Sequence, residues 1–167
     1  MAGSTPEQSK DMPEHRFADI YERHASMLYR VCFSYMKNAA DTEDIVSDVF
    51  VKLISRDVRF QSSEHEKAWL LRIAINLCKD TLKHWWRRRE SIDDYYGLES
   101  KEHFYEDDAL RAVMELPERL KAATYLYYYE GYNTAEISNI LRKPQSTILY
   151  HLHIARKLLK EVLGNEE

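Results

Sequence analysis

Apolar residues recur along this chain at spacings of three and four, the period of a helix with one buried face. Phe17, Ile20, Tyr21, His24, Met27, Leu28, Val31, Cys32 and Tyr35 predict a first helix over 14–37. Asn38-Ala-Ala breaks the pattern. Asp41 is then expected to cap a second helix whose inner stripe is Ile45, Val46, Val49, Phe50, Leu53 and Ile54. Residues 55–63 are polar and lack a period. A long helix follows over 64–89. The stretch 90–108 carries eight acidic residues against one lysine, and its apolar residues are scattered, which reads as an extended linker.

A second helical group fills 109–163. Pro117 suits the first turn of a helix and Gly131 suits an end. Asn133 with Glu136 three residues on has the capping-box pattern for a short helix ending near Leu141. Ser146 is expected to cap the last helix after the turn Arg142-Lys143-Pro144-Gln145. A short helix, a turn of about four residues and a second helix is helix-turn-helix spacing, which any helical hairpin can share.

The expected fold is therefore all-α. Two small helical domains (14–90, three or four helices, and 109–165, the helix-turn-helix) are joined by an acidic linker (91–108), after a disordered tail (1–13). Only 4 Gly and 4 Pro in 167 residues agree with long helices and few turns. The tail is polar, with Pro6 and Pro13, and is no secretion signal. With no apolar run near the length of a bilayer span, a cytoplasmic protein is expected.

The formal net charge of −4 does not favour nucleic acid, but charge matters where it sits. Arg72, Asn76, Lys79, Lys83 and Arg87 fall on one side of the long helix. Leu70, Ile73, Ala74, Leu77, Cys78, Thr81, Leu82 and Trp85 fall on the other, where a core is expected. Residues 67–89 hold seven basic side chains against one acid, Asp80. Cations stacked at helical spacing repel one another, and a phosphate backbone would turn that cost into attraction. Trp85 and Trp86, beside the arginines, offer surfaces on which bases could stack. An ordinary cationic outer face would look the same from this stripe alone.

The segments DTEDIVSDVF (41–50), AWLLRIAINLCKD (68–80), MELPER (114–119) and YEGYNTAEIS (129–138) occur in that order. Together they closely resemble the extracytoplasmic-function branch of the sigma-70 family of bacterial RNA polymerase initiation factors, over about 14–163. The resemblance implies a sigma factor that binds core polymerase, through its β′ and β subunits, and promoter DNA. It also implies control by an anti-sigma factor. The second helix would dock on a β′ coiled coil through Asp44, Ser47 and Asp48. The third helix would bind and open the −10 element through Arg72, Asn76, Lys79, Lys83 and Arg87, with a flipped base held by the loop 55–67. The acidic linker would thread toward the polymerase cleft. The last helix would read the −35 element through Ser146, Thr147, Tyr150, His151 and Arg156.

Two departures stand out. Residues 145–155 carry no formal charge where relatives carry Lys and Arg, and Arg142 occupies a turn position where the family favours glycine. Either Tyr and His supply unusual DNA contacts, or that helix is occupied mainly by protein.

No catalytic residue, cofactor or metal site is expected. His151 and His153 diverge on a helix, Cys32 and Cys78 form no CxxC pair, and no Gly-rich phosphate loop or nucleophile motif occurs. Both cysteines read as small buried hydrophobes. Other readings are a sigma-like adaptor that opens no promoter, and a helix-turn-helix regulator independent of polymerase.

Overall fold

The computed structural model describes residues 13–56, 58–88 and 108–164. Within them the chain forms seven α-helices: α1 (Glu14–Met36), α2 (Ala39–Ser55), α3 (Ser63–Arg88), α4 (Asp108–Met114), α5 (Glu118–Tyr128), α6 (Thr134–Leu141) and α7 (Gln145–Gly164). The expected tail and nearly all of the acidic linker lie outside the described residues.

Helices α1, α2 and α3 pack together. Ile20, Leu28 and Val31 of α1, Val49 and Leu53 of α2, and Leu70, Leu71 and Ile75 of α3 are sealed from solvent. Each such side chain contributes about 1.5–3 kcal/mol of transfer free energy. Cys32 and Cys78 are free thiols inside this core. Lys37 ends α1 in the left-handed conformation (φ 63°), its N–H closing on the Phe33 carbonyl.

Two local expectations are corrected. The cap of α2 is Asn38, whose side-chain oxygen accepts the Asp41 N–H at 2.9 Å. Asp41 lies inside the first turn and accepts from Asn38 Nδ2 at 2.7 Å. Asn caps as well as Asp, so the first residue able to cap ended the loop, and the acid was left to meet the helix dipole. In α7, the Pro144 carbonyl accepts the N–H groups of Thr147 and Ile148, so Ser146 sits within the first turn and not at the cap. Other ends match: Pro117 precedes α5, Gly131 takes φ 72° after it, and both bonds of the Asn133–Glu136 capping box are made.

The buried face of α3 is also turned from the expected one. Leu70, Leu71, Ala74, Ile75 and Cys78 are buried, whereas Ile73, Leu77, Thr81 and Leu82 are half-buried and Trp85 is exposed. The cause is a second packing partner. Helices α4–α7 pack onto α1 and α3, so α3 lies between α1 and α2 on one side and α6 on another. One apolar cluster runs from Ile20 through Cys78 to Leu110, Leu126, Ile140 and Ile148. A smaller one, Leu116, Leu120 and Ala155, holds α5 to α7.

Candidate functional site

On α2 the apolar stripe Ile45, Val46, Val49 and Phe50 turns inward. That leaves Asp44, Ser47 and Asp48 exposed on the outer face. Carboxylates four residues apart repel mildly in water, and a basic partner would reverse the sign.

The stripe on α3 divides in two. Asn76, Lys83 and Arg87 are exposed, and Trp85 and Trp86 stand in solvent at 37% and 59% beside them. Arg72 and Lys79 are half-buried, and the element that covers them is the helix-turn-helix unit. Arg72 Nε donates to the Ile140 carbonyl at 3.0 Å. Burial, and then the Arg142 cation, hold the Arg72 pKa below its usual value. Lys79 is likewise lowered, by burial and then by Lys143.

Helix α7 presents Ser146 and Tyr150 to solvent, with Thr147 and His151 half-buried. Over 145–155 its exposed side chains carry no formal charge and include Leu149. His151 is held below its ordinary pKa by burial and by the cations Lys143, Arg119 and Lys79, which favours the neutral imidazole. Arg156 is exposed. Its Nε donates to the Tyr128 hydroxyl at 3.0 Å, and its guanidinium lies 5.5 Å from the Tyr127 ring centroid. The turn between α6 and α7 carries Arg142 at φ 53°, ψ 47°, the left-handed conformation expected of a glycine there.

The structure thus brings Arg72 and Lys79 of the first helical group beside Arg142, Lys143 and His151 of the second. The residues that hold the groups together were not singled out in the sequence. Lys67 Nζ pairs with Glu130 Oε2 at 2.8 Å and lies 5.4 Å from the centre of the Tyr132 ring. Arg30 sits over Tyr129 at 5.9 Å. Lys121, buried on α5, donates to the Ser34 carbonyl on α1 at 2.9 Å and lies 5.5 Å from the Tyr35 ring.

At the start of α3, Glu66 is buried and accepts from His24 Nε2 at 2.8 Å and Arg23 Nη2 at 3.0 Å, fixing the helix to α1. Among the described residues, no cluster of three His, Cys, Asp or Glu side chains could hold a metal ion. No described helix is long and apolar enough to cross a membrane.

Comparison with known proteins agrees with this geometry. Residues 20–92 match the family model Sigma-70 region 2, and residues 106–159 match Sigma-70, region 4. The RNA polymerase sigma factor SigV of Bacillus subtilis is 30% identical over 86% of this chain and 89% of its own length. The ECF RNA polymerase sigma factor SigW of the same organism is 25% identical over 93% of both chains. In fold, the chain is similar to the sigma factor RpoE of Bartonella quintana, solved with the anti-sigma factor NepR. The TM-score is 0.70, at 20% identity, over 91% of this chain and 99% of that one. CnrH, solved with the cytosolic domain of CnrY, aligns with a TM-score of 0.64 and 18% identity, over 96% of this chain and 95% of that one. Two matched regions in the right order, a relative at this identity over nearly its whole length, and the all-helical fold together place the chain in the extracytoplasmic-function branch of the sigma-70 family.

Proposed function

We infer that the chain works in the cytoplasm as an initiation factor without catalytic residues of its own, and that three exposed faces divide the labour. Asp44, Ser47 and Asp48 on α2 dock on a basic surface of core RNA polymerase. Asn76, Lys83 and Arg87 on α3, joined by Arg72 and Lys79 once uncovered, hold the −10 element. Lys and Arg grip phosphates there, while Asn76 can pair with a base edge. Trp85 and Trp86 provide stacking surfaces for separated strands, offsetting lost base stacking of about 1.4 kcal/mol per step.

Ser146, Thr147, Tyr150, His151 and Arg156 on α7 contact the −35 element with a weak phosphate component, because residues 145–155 lack formal charge. The same uncharged stretch supports an anti-sigma factor as a further partner, and the similar RpoE was solved with one. The segment 91–108 serves as the acidic connector between the domains (14–90 and 109–165).

The observation that carries this reading is the pairing on one three-helix unit of an outward acidic face on α2 with an outward basic face on α3. A helix-turn-helix regulator independent of polymerase would have no use for the first of these faces. Co-purification with core polymerase tests it. The natural chain should be retained, and the double variant Asp44→Lys, Asp48→Lys should lose at least about tenfold in affinity, equal to 1.4 kcal/mol. Equal retention of both would overturn the docking face.

A further inference from the structure

Beneath the faces already described, four polar or titratable side chains from three helices meet in the core. Cys32 on α1 and Cys78 on α3 are sealed from solvent, and their thiols are hydrogen-bonded to each other. Neither belongs to a disulfide. Tyr35, about one turn beyond Cys32 on α1, is 2% exposed. Its hydroxyl has no hydrogen-bond partner, and among the described residues it is the one buried polar side-chain atom in that state. Lys121 on α5 lies 5.5 Å from the Tyr35 ring and donates to the Ser34 carbonyl at 2.9 Å. It forms no ion pair with a described residue. Cys78 and Lys121 bias each other's protons, and Tyr35 feels both thiols, so the four groups share one site.

A buried ammonium without a carboxylate and a buried O–H without an acceptor are both costly, and protein cores avoid them. Here the two flank a pair of thiols. An anionic group with free lone pairs at the sulfurs would satisfy both. The thiols alone do not supply it, because their mutual hydrogen bond, and then burial, hold Cys78 well above the ordinary thiol range. Two thiolates on one soft monovalent cation do supply it, since the assembly carries a single negative charge. Lys121 gains a counter-charge, and the Tyr35 hydroxyl gains a sulfur to donate to. Lys37 adds a second cation near Lys121, while Glu118 opposes an anion here and tempers the gain. A disulfide would join the same sulfurs but is neutral, and would leave the ammonium uncompensated. A divalent ion such as zinc takes four ligands, and no third His, Cys, Asp or Glu stands with this pair among the described residues.

We propose that Cys32 and Cys78 form a binding site for one copper(I) ion, with Lys121 as the counter-charge and the Tyr35 hydroxyl as donor to a ligand sulfur. Thiolates are the ligands that select copper(I). Each thiol gives up its proton as its sulfur–copper bond forms: one cation enters, two protons leave, and no electron is transferred. The ion ties α1 to α3 and, through Lys121, draws α5 to both. The two cysteines stand far apart along the chain, so spacing in the sequence does not mark them as ligands.

The test uses the full chain, fully reduced and held without oxygen. Copper(I) is supplied on the coloured chelator bicinchoninate, and loss of colour measures transfer to the protein. Cys32→Ala and Cys78→Ala each remove one ligand. Lys121→Met removes the counter-charge at similar volume, Lys121→Arg restores it, and Tyr35→Phe removes the donor. Circular dichroism establishes that each variant is folded, and one cysteine variant serves if the other is not. X-ray absorption of the loaded natural chain reads the ligands without any substitution.

The natural chain should withdraw one equivalent of copper(I) from the chelator, and its absorption spectrum should show two sulfur neighbours. Either cysteine variant should withdraw none. Lys121→Met should bind at least about tenfold more weakly, with Lys121→Arg close to the natural chain. Tyr35→Phe should lose about fivefold, the worth of one hydrogen bond. No transfer to the natural chain, or transfer that survives loss of either cysteine, would overturn the site. So would zinc binding of equal strength. A Lys121→Met chain that binds as tightly as the natural one would overturn the counter-charge. No transfer without oxygen, together with loss of two hydrogens by mass spectrometry on exposure to peroxide, would replace the metal site with a redox pair.

Discussion

Lys121 offers the most quantitative handle on the contact between the domains. Its ammonium is buried between α5 and α1, and burial, followed by the Lys37 cation, lowers its pKa from 10.5 to about 8. Glu115, Glu118 and Cys78 push the other way, and the Tyr35 ring and Ser34 carbonyl face the ammonium directly. A lysine whose pKa is lowered in the closed state opposes closure while it stays protonated. The opposition is fully present below about pH 8 and fades between that value and 10.5, because the opened chain then binds more protons than the closed one. The whole effect amounts to about 3 kcal/mol, from 2.5 units at 1.36 kcal/mol each. Between pH 7 and pH 9 about 1.3 kcal/mol of it is recovered.

Lys121→Met removes this titration while roughly preserving volume. It also leaves the Ser34 carbonyl without its donor, at about 1–3 kcal/mol, so the absolute level at pH 7 shifts by the difference of two similar terms. The slope isolates the lysine. Urea titrations at pH 7, 8 and 9, following the distance between spin labels at the exposed positions Asp19 on α1 and Lys160 on α7, measure the first step that exposes residue 121. Subtracting the variant's profile removes the titration of Tyr35 and Cys78, both raised by their surroundings and therefore destabilising at higher pH. The natural chain should gain about 1 kcal/mol over Lys121→Met on going from pH 7 to pH 9. Parallel profiles, or a loss, would refute the buried, charged state of Lys121.

Three other predictions have definite signs. Arg142→Gly should raise the melting temperature by about 2 °C in calorimetry: relief of the left-handed strain, about 1–2 kcal/mol, exceeds the added entropy of an unfolded glycine. An unchanged or lower value would mean that Arg142 makes contacts worth more than its strain. Asn133→Ala should lower the melting temperature by about 2–4 °C through loss of a cap worth about 1 kcal/mol, and no change would count against the capping box as a support of α6. In permanganate footprinting of a holoenzyme–promoter complex, Lys79→Ala with Lys83→Ala should reduce strand opening more than Tyr150→Ala with His151→Ala, because the α7 face brings little charge to the phosphates. The reverse order would contradict that division.

What the sequence revealed was local. Helical period, the Asn133–Glu136 box and the positions of Pro117 and Gly131 depend on neighbours within a turn, and these elements formed as expected. Choosing between two nearby cap residues was harder, because Asn38 and Asp41 stand three residues apart and differ as caps by tenths of a kcal/mol. The core face of α3 was misjudged for a different reason. A helix packed on two sides has no single apolar stripe, and Arg72 and Lys79 are long enough to lie across a packed surface with their heads at its edge. The interdomain contact was invisible. Lys67 and Glu130, or Ser34 and Lys121, are far apart along the chain, and no periodicity links them. The outward groups of α2, by contrast, follow directly from its inward stripe.

On the proposed reading, the α2 and α3 faces together make this chain an initiation factor. Run-off transcription measures it most directly, with purified core polymerase, a promoter library and either the natural chain or the variant Asp44→Lys, Asp48→Lys. Discrete, chain-dependent transcripts from a subset of promoters are expected, nearly abolished in the variant. Core polymerase retained on the chain with no transcript from any promoter would contradict it and leave an adaptor in its place.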